Sequence, residues 1–222
     1  VPTARDSRAA IERVGRPRDP AIDAAVLEAT LAALADDGYG GLRMEDVARR
    51  AGTTKPAIRR RWPGRQQLVL AALASRLGTL AAPDTGCTLC DLDESLKLFA
   101  AAFRRMPPGV LAPLFADCAA DRALRDAFME TLFEPPRAAV AQTLERAYER
   151  GDLREAADRD LVVDLIASFV HYRVLFGHAP IDDQQTERTV ETLLQGLAAD
   201  YDRLLAHSRA SDAGSAMHHL HA

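Results

Sequence analysis

From about residue 20 onward, apolar residues return every three or four positions and never alternate with a period of two over a useful length, so the chain reads as helical throughout. A first helix is predicted from Asp19 or Pro20 to Asp37. Asp19 can cap it, Pro20 suits the first helical position and Gly38 ends it. Its inner face is Ile22, Val26, Ala29, Ala33 and Leu34. Met44 to Ala51 reads as a short second helix stopped by Gly52. A third runs from about Lys55 to Trp62, with Thr54 as N-cap and Pro56 tolerated in the first turn. Pro63-Gly64 then breaks the chain, and Gln66 to Leu80 carries Leu68, Leu70, Ala71, Leu73 and Leu77 on one face.

Ala81 to Cys90 is punctuated by Pro83, Asp84, Thr85 and Gly86 and is predicted as a linker. Further helices are predicted at about 91–106, 108–119, 122–150, 159–177 and 183–206. Pro135-Pro136 must break or kink the third of these, because neither residue can donate to the helix ladder. The pattern divides the chain into a flexible basic arm (1–19), a three-helix head (20–66), a larger helical body (67–206) and a polar tail (207–222) predicted as disordered. The fold class is all-α, with two domains.

Charge sharpens that division. The net charge is -4, but residues 1–65 hold 13 Lys+Arg against 9 Asp+Glu, a net of +4, and the remainder holds 15 against 23, a net of -8. A basic head on an acidic body fits contact with a polyanion through one end. No run approaches the ~18 apolar residues of a membrane span. The start, Val1 to Arg18, lacks the apolar stretch of a secretory signal, and three cysteines do not make a disulfide framework. A cytoplasmic location without membrane contact is expected.

The chemistry concentrates between Arg43 and Arg65, where eight Arg or Lys face only Glu45 and Asp46. Two short helices crossing at a tight turn need a small residue at the contact, supplied by Ala48. They also need a residue at ease with positive φ, supplied by Gly52. Val47, Ala51 and Ile58 stand where a small shared core wants apolar side chains. The following helix is short, capped and basic, as a helix entering the major groove must be.

This stretch resembles the DNA-binding domain of the TetR family of bacterial transcriptional regulators. Gly38-Tyr39, Met44, Val47-Ala48, Ala51-Gly52, Lys55, Arg60, Trp62 and Leu68 fall on the family's spacing. The resemblance covers about Pro20 to Leu70, and it implies a helix-turn-helix domain followed by a ligand-binding and dimerisation domain. It also implies double-stranded DNA as a partner, with a near-palindromic operator. The family usually has Ser or Thr where Arg43 stands; Arg43 cannot cap but can reach a phosphate. Arg59 and Arg61 replace aromatics, and Arg65 replaces a Lys at the start of the fourth helix. Base-edge contacts are expected from Thr53, Lys55, Ala57 and Arg59, and phosphate contacts from Arg43, Thr54, Arg60 and Arg65. Upstream, Gly15-Arg16-Pro17-Arg18 resembles the core of an AT-hook, which would place Arg16 and Arg18 in the minor groove.

For the body, the resemblance implies a homodimer built on the last two long helices. The stripes that fit are Phe169, Tyr172, Arg173 and Phe176 on one helix and Val190, Leu193, Leu194, Leu197 and Tyr201 on the other. The same stripes also fit burial within one subunit. A pocket for a small apolar effector is expected among Phe99, Phe103, Met106, Leu114, Phe115, Phe128, Met129, Phe133 and Tyr148, with His171 either its polar anchor or a core histidine. Cys87-Thr88-Leu89-Cys90 has the spacing of half a zinc site without a second pair, and a thiol- or metal-responsive regulator is the variant reading. No nucleophile–base–orienter set or phosphate loop is evident, so no enzyme, cofactor or metal is expected. The rival is an all-helical enzyme or lipid-carrying module with a vestigial head.

Overall fold

The computed structural model describes residues 20–78, 80–154 and 158–196, and its described residues contain helices and no strand. The arm with Arg16 and Arg18, the tail, and the expected dimer residues Leu197 and Tyr201 lie outside the described residues.

The head is α1 (Pro20–Gly41), α2 (Met44–Arg50), α3 (Lys55–Arg59) and the first turns of α4 (Arg65–Leu77). The regular part of α1 breaks at Gly38, whose φ of 66° is a conformation that side chains with a Cβ resist. Between α2 and α3 the Gly52 φ of 64° lets the chain double back, and Thr53 N donates to Ala48 O at 2.9 Å. Val26, Leu34, Val47, Ala48, Ile58 and Leu68 close the head's core. Trp62 packs against it, half-buried, as its position predicts.

The expected boundary at residues 66/67 falls in the first turn of α4, and the packing there is continuous. Leu68 faces the head, while α4 also packs against α5, α6 and α7, so a single apolar cluster runs from Val26 to Val190. Helix ends differ from expectation by a few residues. Here α3 stops at Arg59 rather than Trp62, and α4 stops at Gly78, which has a φ of 69°.

The body comprises α5 (Thr88–Arg104), α6 (Leu111–Ala119), α7 (Arg122–Phe128), a π-turn (Met129–Phe133), α8 (Glu134–Glu149), α9 (Arg159–Phe176) and α10 (Asp183–Gln195). The single helix expected over 122–150 is therefore three segments. An α-helical register would ask Pro135 and Pro136 to donate to Thr131 and Leu132, and neither has an N–H. Widening the turn lets Glu134 N donate to Met129 O, five residues back. In the centre of the body, Ser95 and Thr143 hydroxyls bond each other at 2.9 Å, and Thr143 also donates to Ala139 O, so the buried polar pair is satisfied.

Helix α9 is apolar on two sides. Val163, Ile166, Ala167 and Val170 are buried, whereas Leu161, Leu165, Tyr172 and Phe176 are exposed, Phe176 at 71%. A helix with two apolar faces buries only one inside its own subunit.

Candidate nucleic-acid interface

The putting-together of α2 and α3 decides which cations face outward. Thr54 caps α3, its Oγ1 accepting from Ala57 N at 3.3 Å. Arg43 occupies the N-cap position of α2 in extended conformation, makes no capping bond and is exposed. Thr53 and Ala57 are half-buried on the approach to α3, and Arg59 and Arg60 are exposed at its C-terminal end. None of Arg43, Arg59 and Arg60 forms an ion pair with a described residue, so their guanidinium groups are open to an anion.

The remaining cations of the head are engaged. Lys55 Nζ donates to Glu45 Oε1, joining α3 to α2, and that bond holds the Glu45 carboxyl below the usual range. Arg50 bonds Asp36 on α1 at 2.8 Å, and Arg49 bonds Asp46 at 2.7 Å. Arg61 turns inward and pairs with Asp23 of α1, its side chain only 17% exposed. The run 59–61 is therefore two outward cations and one that fastens α3 to α1.

Arg65, expected on phosphate, is instead part of a knot between head and body. Asp117 Oδ2 on α6 accepts from Tyr39 Oη at 2.6 Å, Arg65 Nη2 at 3.0 Å and Gln66 Nε2 at 3.0 Å. The Arg65 guanidinium also stacks on the Tyr39 ring, 4.4 Å from its centroid. The hydrogen bonds from Tyr39 and Arg65 push the Asp117 carboxyl below its usual range, and burial together with Asp117 pushes the Tyr39 phenol up. Nothing in local sequence pattern marks Asp117, because its partners lie 51 to 78 residues away.

In the body the expected pocket residues mostly fill space. Phe99, Phe103, Leu114, Phe128 and Phe133 are buried, and their rings pack on one another and on Phe115 at 5.2–5.7 Å. His171 sits among them, 4.2 Å from the Phe133 ring and 4.9 Å from Phe99. Its Nε2 is buried without a hydrogen-bond partner, and burial pulls its pKa down to about 4, so the ring is neutral. Met129, Phe133 and His171 edge an open groove with Glu134, Arg137 and Asp164. Met106 lies apart, buried near α1 beside Leu31 and Arg76.

A separate cavity of about 460 Å³ lies where α5, α8, α9 and α10 meet, and Tyr148 is the expected pocket residue that reaches it. Its other walls include Leu89, Leu92, Leu144, Ile166 and Val190. Val190, expected on the dimer stripe, is 1% exposed and belongs to this wall because α10 turns it toward α5. Leu193 and Leu194 share the cavity mouth and remain partly exposed, while Arg173 folds back over the Phe169 ring and donates to Pro180 O.

Comparison with known proteins matches both the head and most of the body. Residues 26–72 fit the model of bacterial regulatory proteins of the tetR family, and residues 82–193 fit that of the tetracyclin repressor-like C-terminal domain. The chain is 30% identical over 173 residues to the DNA-binding transcriptional repressor TetR of Mycobacteroides abscessus, covering 77% of this chain and 90% of that protein. The crystal structure of the TetR family transcription regulator SCO0332 superposes with a TM-score of 0.64 at 32% identity, over 80% of this chain and 98% of that one. The fold is also that of the regulator FadR from Bacillus subtilis, solved in complex with stearoyl-CoA, with a TM-score of 0.61 at 14% identity over 79% of this chain and 99% of that one. No helix among the described residues is long and apolar enough to cross a membrane. With a capped basic reading helix at one end and both family models matched in order along it, the chain belongs to the TetR family of DNA-binding transcriptional regulators.

Proposed function

We propose that this regulator acts in the bacterial cytoplasm as a homodimeric repressor that leaves its operator when a small apolar molecule fills the cavity between α5, α8, α9 and α10. The observation that carries the DNA contact is the pair Arg59 and Arg60, outward and unpaired on a capped helix whose neighbouring cations are engaged within the head. Arg59 is the base reader, with Thr53 and Ala57 beside it, while Arg43, Thr54 and Arg60 hold phosphates. Arg16 and Arg18 of the arm extend the contact into the minor groove.

The dimer forms on the outer face of α9, through Leu165, Phe169, Tyr172 and Phe176, with Leu193 and Leu194 at its edge. This choice rests on the exposure of Leu165, Tyr172 and Phe176, with Phe169 half-buried between them, in a helix already buried on its other side. Two-fold symmetry would set the reading helices ~34–36 Å apart and make the operator near-palindromic. The effector is apolar because leucine, isoleucine and valine dominate the cavity walls. That FadR, which shares this fold, was solved in complex with stearoyl-CoA supports a ligand-binding role for the body. The cavity is assigned to binding rather than to catalysis.

The test is selection of binding sites from a random DNA pool, followed by release assays with apolar compounds. A palindromic site, release by a compound, and loss of that release in Leu89→Trp with DNA binding intact would support the reading. No enriched site would overturn it.

A further inference from the structure

We propose that Cys87 and Cys90 are a redox-active dithiol–disulfide pair, oxidised by small disulfides, whose closure stiffens the rim of the apolar cavity. The second half of this inference rests on the cavity assigned above. In the structure the two sulfurs are bonded, with Cα atoms 5.3 Å apart, inside the ordinary disulfide range. Both residues are exposed. The third cysteine, Cys118, is buried in α6, where burial and the neighbouring Asp117 push its thiol up and out of reach of exchange.

The position favours exchange chemistry. Cys87 is the N-cap of the 17-residue α5, and its Sγ accepts from Cys90 N at 3.3 Å. A negative sulfur there meets unpaired first-turn amides and the positive end of the helix dipole. The one acidic group in that turn, Asp91, is buried and already engaged by the preceding loop, accepting from Thr85 N at 2.8 Å and Thr85 Oγ1 at 2.7 Å. Burial alone would raise its carboxyl, but these bonds and the Arg150 guanidinium hold it low.

A second observation ties the pair to the cavity. Thr88 and Leu89, the residues between the cysteines, both line it. Thr88 is anchored at the rim, its hydroxyl donating to Asp152, which also lines the cavity, and accepting from Arg150 Nη2 at 2.8 Å. Cys87 O also accepts from Asp91 N at 2.8 Å. These bonds tether the two ends of the segment, and closing the short ring adds a further restraint on the backbone across Thr88 and Leu89. A rim ordered in advance costs a ligand less to bind.

A metal is the weaker reading of the same pair. Among the described residues no group of three or more His, Cys, Asp or Glu side chains converges to hold one. In the exchange, the Cys87 thiolate attacks one sulfur of a small disulfide, breaking its S–S bond and releasing one thiolate. The Cys90 thiol then loses its proton and attacks Cys87 Sγ, releasing the second. The protein loses two protons and two electrons, and the disulfide becomes two thiols.

The experiment takes the full chain, reduced and desalted, with and without glutathione disulfide, then counts alkylated thiols by intact mass after denaturation. Reduced protein should take three labels, and oxidised protein only the one on Cys118. Hydrogen exchange of the segment 85–92 should slow several-fold on oxidation, and Cys87→Ser with Cys90→Ser should exchange at the reduced rate under both conditions. Cys118→Ser should leave the response intact. Three labels after oxidant, or a glutathione adduct that persists without ring closure, would overturn the pair; closure without slowed exchange would overturn the stiffened rim. Binding of anilinonaphthalene sulfonate should be several-fold tighter in the oxidised chain, and equal binding would overturn the link to the cavity. Failure of the probe to bind in either state would sink the effector cavity instead, with the thiol count still deciding the pair.

Discussion

Arginine is used differently at the two ends of this molecule. In the body most of its guanidinium groups are turned onto the protein itself, and Arg105, Arg154 and Arg188 are exposed without an ion pair to a described residue. Arg137 bonds Asp164 at 2.9 Å, Arg146 donates to the carbonyls of Ala82 and Pro83, and Arg104 donates to Ile181 O. In the head, Arg43, Arg59 and Arg60 stand exposed without an ion pair to a described residue, a few residues from Arg61 and Arg65, which have one each. Density of positive charge along the chain therefore overstates the DNA surface. A cation available to phosphate must lack an internal partner and stand beside the capped helix α3, and both are properties of packing.

The contrast can be pressed hardest through the body's core. Phe128→Ala should cost about 3–5 kcal/mol in chemical denaturation, because it opens a void among Phe115, Phe133 and their neighbours. Arg60→Ala, on the head's surface, should stay within about 0.5 kcal/mol. Equal costs would erase the distinction between the two regions.

His171 gives the next largest effect. Its folded pKa of about 4 lies below the ordinary 6.5, so between these values the unfolded chain binds a proton that the folded chain refuses. Its contribution is fully present above pH 6.5 and is lost as pH falls toward 4, by about 3 kcal/mol at most. Stability curves of wild type and His171→Phe should converge in shape above that window and diverge within it. Parallel curves would mean that the folded histidine takes up its proton as readily as the unfolded one.

Asp117→Asn probes the join between the regions and should cost about 1–2 kcal/mol, since three donors lose a charged acceptor. Because the folded carboxyl is held below its usual range, wild type should lose this increment as pH falls through the carboxylate range, while the variant does not. The smallest effect belongs to Lys55→Ala. With its amine already on Glu45, the change should weaken operator binding less than tenfold, about 1 kcal/mol, and stability less than that. A larger loss of DNA affinity would show that Lys55 leaves Glu45 for the operator.

The head was legible because its determinants are local. Thr54, Gly52 and Ala48 act within a few residues of themselves, and the structure places them as cap, turn and contact. The destination of Arg65 was not, since Asp117 comes from another helix. In the body, bulky residues were read as pocket walls, whereas Phe99, Phe103, Phe128 and Phe133 interlock and leave little space. A separate open volume lies where aliphatic side chains from four helices fail to meet, and finding it requires knowing how those helices pack. Val190 shows the same limit: a stripe at helical spacing does not say which side faces a neighbour. The Pro135-Pro136 break was visible, and its resolution as a π-turn was not.

The central claim is that Arg59 reads base edges while Arg60 holds phosphate beside it, and the direct measurement is fluorescence anisotropy on the DNA flanking the protein's own gene. Titrations at ~50 and ~200 mM salt with unrelated competitor DNA separate specific from electrostatic binding. The account predicts tight, competitor-resistant binding that falls by about 100-fold in Arg59→Ala with Arg60→Ala, while that variant remains folded. Undiminished binding by the variant, or equal and salt-labile binding of wild type to both DNAs and to every site recovered by selection, would contradict it.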